Sequence, residues 1–167
     1  MRSLLRAGVL TLVASLGSGV VSAPVAAQEV VAVDAALKSR VESADVFILG
    51  TPDYHGSISS AMKNFLDHFW HEFAGKLFVT IVASHEKGLT VTDQLRTVAR
   101  QCYAWTLPYA VSFADTDLKD GKVATDSFRK RLEMLVRDAR VYGEVIAKQR
   151  QADLAGSEHG FMARHRM

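Results

Sequence analysis

Apolar and polar positions alternate between two periods along this chain, and the switches mark its elements. Val30, Val33, Leu37 and Val41 recur at helical spacing, which predicts an amphipathic helix over Glu29–Ser43. Asp45–Gly50 then reads as a strand. Met62, Phe65, Leu66, Phe69, Trp70 and Phe73 form a wide apolar stripe on a helix expected over Ser59–Phe73, closed by Gly75. Lys76–Ser84 is a nearly unbroken apolar run, the mark of a strand covered on both faces. Leu95, Val98, Ala99 and Cys102 lie on a further helix that Thr90 or Thr92 could cap. Pro108 interrupts the chain, and Tyr109–Phe113 reads as a third strand. Asp115–Lys122 is a polar loop. The longest helix, Asp126–Arg150, carries Phe128, Leu132, Leu135, Ala139, Tyr142 and Ile146 on one face. Residues 151–167 read as a polar tail, its end from Gly156 disordered or reaching over a partner subunit.

Three clear strands alternating with four helices predict an α/β doubly wound parallel sheet, with right-handed crossovers placing helices on both faces. A ligand then belongs beyond the carboxyl ends of the strands. Two loops follow such ends: Thr51-Pro52-Asp53-Tyr54-His55-Gly56-Ser57, and Ser84-His85-Glu86-Lys87-Gly88 with Leu89 and Thr90 behind it. The first offers backbone N–H groups at a helix start, an aromatic ring and small polar groups, parts suited to a flat cofactor with polar edges. The same residues would also make a plain strand-to-helix turn with Ser57 or Ser59 as the cap. Lys63 and Asp67, four apart, suit a surface ion pair. His68 and His71 suit a wet helix face, and no metal site is expected.

Composition narrows this further. The 167 residues are 49% hydrophobic and 23% charged, ordinary for a globular chain, with a net charge of +2 that gives nucleic acid no general purchase. A single cysteine, Cys102, rules out an internal disulfide and suits a small core residue. Residues 1–27 carry arginines, then an uncharged apolar stretch, then small residues, which matches a secretory signal peptide. The alternative is a degenerate first strand over Val9–Ser15 with a turn at Leu16–Gly19. With three glycines and three serines the stretch is a weak membrane span, and no stable span is expected. Residues 28–150 form the expected globular domain.

Gly50–Ser57, with Met62-Lys63-Asn64 and Asp67 downstream and Gln94-Leu95-Arg96 in the next helix, resembles the NADPH-dependent FMN reductase family of the flavodoxin-like fold. The resemblance covers roughly residues 30–150. It departs at Ser84–Gly88, where the family has a Gly-rich turn. It departs again upstream, where Ser15–Gly19 is all that stands for the family's phosphate loop. The resemblance implies FMN as cofactor, with Tyr54 and the backbone of Pro52–Gly56 along the ring and Ser84–Gly88 at its pyrimidine side. His85 and Lys87 in that loop could meet flavin or NADPH phosphates, or simply lie in a solvated loop. It implies hydride passing from NADPH (or NADH) through FMN to a flavin, quinone or similar small acceptor, with no acid–base pair required. It also implies a homodimer or homotetramer. A signal-like start suggests a periplasmic or secreted protein, the family a cytoplasmic one. The rival reading is a non-catalytic, truncated flavodoxin-like chain that binds FMN weakly or not at all.

Overall fold

A computed structural model describes the backbone of residues 9–13 and residues 34–166 of the chain. Val30, Val33, most of the signal-like segment and the Ser15–Gly19 turn lie outside the described residues. The architecture is the expected doubly wound α/β sheet with helices on both faces. Its strand order is β1 (Val9–Val13), β2 (Val46–Pro52), β3 (Leu77–Ala83), then β4 (Trp105–Thr106) and β5 (Val111–Phe113) side by side against β3. All pairings in this sheet are parallel. Val9–Val13 pairs with Val46–Gly50.

Alternation on the strands divides the core in two. Phe47, Leu49 and Phe78 face helices α1 (Ala35–Ser43), α2 (Ser60–Asp67) and α3 (Leu89–Gln101). Val46, Leu77 and Val79 face helix α4 (Asp126–Ala155). On the first face five phenylalanines pack edge-on or tilted, with Phe47 5.1 Å from Phe73 and Phe73 5.0 Å from Phe78. Cys102 is buried there, and burial pushes its thiol pKa up. Lys76 is also buried. Its ammonium donates to the carbonyls of Val41 and Glu42, both at 2.8 Å, satisfying the carboxyl end of α1. Burial nevertheless pulls its pKa down to about 8.

Several expected boundaries are corrected. The first helix begins at Ala35, because the Asp34 carboxylate caps it by accepting from Ala36 N–H (3.1 Å). The expected single helix Ser59–Phe73 ends at Asp67 and resumes as a 3-10 turn, His71–Phe73. The break lets Phe69 and Phe73 both enter the core while Trp70 turns outward and donates its indole N–H to the Gln101 carbonyl. Neither Thr90 nor Thr92 caps α3. The cap is Gly88 at φ +58°, and Thr92 instead donates its hydroxyl back to the Gly88 carbonyl. The expected strand Tyr109–Phe113 is shortened to β5, Val111–Phe113, and a further short strand, β4, lies before Pro108, which cannot donate a ladder hydrogen bond and separates the two. The polar loop holds a 3-10 turn and a hairpin of β6 (Leu118–Lys119) and β7 (Lys122–Val123). Asp120 and Gly121 both have positive φ, as a two-residue primed turn needs. The last helix runs to Ala155, and the tail folds back onto its own chain with Met162 buried.

One close approach sets how α4 sits on the sheet. A Cβ on Gly143 would lie 2.4 Å from Val46 Cγ2, a stiff branched side chain on a buried strand. Gly143→Val should therefore cost about 1–3 kcal/mol through overpacking, measured by chemical denaturation. Unchanged stability would show that the helix can lift away freely.

Candidate active-site edge

The two candidate loops lie side by side because β2 and β3 are in parallel register through seven pairs, ending at Pro52↔Ala83. Asp53 N–H extends the ladder by donating to the Ala83 carbonyl (2.8 Å). The next turn is tight. Tyr54 and Ser57 exchange backbone hydrogen bonds (3.0 and 3.1 Å), and His55 and Gly56 between them have φ +57° and +77°. A non-glycine residue at such a φ is uncommon, and histidine is among those that tolerate it.

The Asp53 side chain joins the loops. One oxygen accepts from Gly56 N–H (2.8 Å) and the other from the Ser84 hydroxyl (3.2 Å). The Ser84 oxygen in turn accepts from Glu86 N–H (3.2 Å). A single carboxylate therefore shapes the first turn and fastens it to the second. From the far side, Gln94 on α3 takes hold of the same turn. Its Oε1 accepts from Ile58 N–H (3.1 Å) and the Ser57 hydroxyl (3.3 Å), and its Nε2 donates to the Gly56 carbonyl (3.3 Å). Thr51 is buried, and its hydroxyl accepts from Ser59 N–H (3.1 Å) while Ser59 caps α2 by accepting from Met62 N–H.

The twelve expected site residues thus divide. Thr51, Asp53, Ser57 and Ser84 spend their side chains on holding the edge together. Pro52 is buried at the end of its strand. Gly88 is fixed by space, since a Cβ there would lie 2.7 Å from Val82 Cγ1. Tyr54, His55, His85, Glu86 and Lys87 are exposed along the rim, with Tyr54 half-exposed at 50%. Gly56 has open space around it, its nearest potential neighbour being Thr90 Cγ2 at 4.0 Å, and its positive φ alone demands glycine. Lys63 and Asp67 form the expected exposed i,i+4 ion pair, and Lys63 also lines the groove beside this edge. Gln94 was not among the expected site residues. Its only sequence signal was the Gln-Leu-Arg triplet, because 37 residues separate it from the Ser57 it holds.

The cap residue of α3, Gly88, has no side chain to accept from the first N–H groups of the helix, and these follow directly on the second loop. An open groove of about 850 Å³ runs beside the clamp, lined by Ser57, Ile58, Lys63, Leu89, Thr90 and Gln94 among others. The edge therefore offers a half-exposed aromatic ring, close backbone and an uncapped helix start. These suit a planar ligand with polar edges.

The family described as NADPH-dependent FMN reductase matches residues 11–117. An FMN-dependent NADPH-azoreductase of Staphylococcus saprophyticus is 32% identical in an alignment of 108 positions that covers 60% of this chain and 57% of the relative. An NADPH azoreductase of Bacillus sp. (strain OY1-2) is 27% identical over 112 residues, 65% of this chain and 62% of the relative. The chain thus spans less than two thirds of the curated relatives it matches. Among solved structures, an NADH:FMN oxidoreductase in its apo form superposes with a TM-score of 0.57 at 21% identity, covering 68% of this chain and 63% of that one. An oxidoreductase from Corynebacterium diphtheriae gives 0.53 at 17% identity, covering 68% and 61%. These two share the fold.

Asp53→Ala would leave Gly56 N–H and the Ser84 hydroxyl without their acceptor. Because the group is only partly buried, the expected loss is near the low end of about 1–3 kcal/mol. Amide exchange should rise at residues 54–57 and 84–86 together. Faster exchange in the first loop alone would show that Asp53 does not couple the two.

Proposed function

The chain belongs to the NADPH-dependent FMN reductase family, and from that premise we propose an FMN-dependent oxidoreductase that takes hydride from NADPH and delivers it to a small-molecule acceptor. The observation that carries this reading is the Asp53 bridge, which fastens the Pro52–Ser57 and Ser84–Gly88 loops into one preorganised edge beneath the exposed Tyr54 ring. FMN, when bound, supplies a ring that accepts a hydride and gives it up again. What the chain supplies is position. Tyr54 gives an aromatic surface for the ring, and Gly56 lets the backbone come close without a side chain in the way. The uncapped start of α3 favours electron-rich ring edges beside it. His85 and Lys87 place exposed basic groups on the rim, where cofactor phosphates would be met.

The acceptor class is a flavin, a quinone or, following the names of the relatives, an azo compound. NADH is the alternative donor. We further place the working protein as a homodimer or homotetramer. Met134, Val141 and Val145 recur along α4 and are 46%, 39% and 60% exposed, a stripe that a second copy could cover.

The test is spectroscopic. The purified chain, given FMN and desalted, should keep the flavin absorption bands and oxidise NADPH. Tyr54→Ala should weaken FMN binding about tenfold, the loss of one aromatic contact of about 1–1.5 kcal/mol. Gly56→Val should weaken it further, because a branched residue at this φ costs about 1–3 kcal/mol of strain. A colourless protein that leaves NADPH untouched would establish the rival, a flavodoxin-like chain without catalysis. Unchanged FMN binding in both variants would move the site elsewhere.

A further inference from the structure

The last residues cross the sheet at the edge opposite the two loops, over the amino ends of β3 and β4. Met162 is buried against the turn that starts β3, and a Cβ on Gly75 would lie 2.8 Å from its sulfur. Phe161 meets Trp105 edge-on at 5.9 Å. The Arg164 guanidinium lies 4.1 Å over the Tyr103 ring and donates to its hydroxyl (2.7 Å). Arg166 donates to the carbonyls of Asp153 and Glu158, closing the segment on itself.

His165 is the unusual member. Its ring lies 5.6 Å from His71 and 6.0 Å from Tyr103. Its Nε2 is buried and has no hydrogen-bond partner among the described residues. Ionisable groups face it from every packed element: His71 from the 3-10 turn, Tyr103 from the end of α3, Arg150 from α4 and Arg164 from its own segment. None of these is a carboxylate. Glu72, beside His71, accepts the Trp70 N–H. Burial, then His71, Arg164 and Arg150, hold the His165 pKa below the ordinary value of 6.5.

We propose that residues 156–166 form an acid-released strap, docked over the amino edge of the sheet while His165 is neutral and detached when His165 takes up a proton. A neutral imidazole can be tucked among His71, Arg150 and Arg164. An imidazolium there would keep its buried Nε2–H without a partner, beside Arg150 and Arg164 and with no carboxylate bonded to it among the described residues. Released, it gains water and moves away from His71 and Arg150. The direction follows from linkage. The docked strap binds fewer protons than the detached one, so docking is complete above pH 6.5 and weakens as pH falls toward the lower docked value. Within that window the docking constant drops by up to about tenfold per pH unit.

The test uses the full chain with its methionine methyl groups labelled with carbon-13 and followed by NMR from pH 8 to pH 5. Met162 reports on the strap, and Met62, buried in the core on the other face, reports on global unfolding. The Met162 methyl is expected to move from a buried to a solvent-exposed position as pH falls below 6.5, while Met62 stays in place. In His165→Gln and His165→Phe it is expected to stay docked at pH 5. A Met162 signal that does not move in the parent protein would overturn the proposal. So would a Met62 signal that moves with it, variants that follow the parent curve, or a strap already detached at pH 8 in both variants.

Discussion

Everything about the candidate site depends on the parallel pairing of β2 with β3. Seven residues in register bring Pro52 level with Ala83, so that two loops far apart in sequence leave the sheet at one point. The pairing is secured from both faces by the alternation Val46-Phe47-Ile48-Leu49, which sends neighbouring side chains into separate cores. A slip of one residue would turn both cores inside out. Asp53 is the first residue past this ladder. It converts two loops that are merely neighbours into one edge by taking a hydrogen bond from each.

The rest of the edge is a division of labour between side chains that hold and groups that are left open. Asp53, Ser84, Thr51 and Gln94 are consumed by internal hydrogen bonds. Among the described residues, the side chains of Tyr54, His55, His85 and Lys87 make no such bonds. This is the arrangement preorganisation requires: a planar ligand would meet a surface already in place, with little left to order on binding. The opposite edge of the sheet is built on different principles. There Lys76 closes α1 from inside the core, and the chain's own end lies across Gly75, Tyr103 and Trp105.

Legibility in the sequence followed the range of the interactions. The apolar run Lys76–Ser84 and the helical stripe on α4 were readable because local periodicity reports burial directly. The loop Thr51–Ser57 was readable because its Pro, Gly and aromatic positions carry their own backbone chemistry. What escaped notice was decided at a distance. The helix after Ser59 stops at Asp67 because Phe69 and Phe73 are both drawn into the phenylalanine cluster. Asp34 captured the start of α1, and Gly88 displaced the threonines as cap. Gln94 could not be recognised as the clamp of the first loop, because its spacing to that loop has no local pattern. The tail, polar in composition, docks through single residues, Met162 and Phe161, that no periodicity would reveal.

The most direct test of the central claim is to titrate the amide-labelled chain with FMN and map which backbone signals move. Shifts are expected to concentrate at residues 53–58 and 84–90, with Gln94 following. Shifts absent from both loops would contradict a flavin site at this edge.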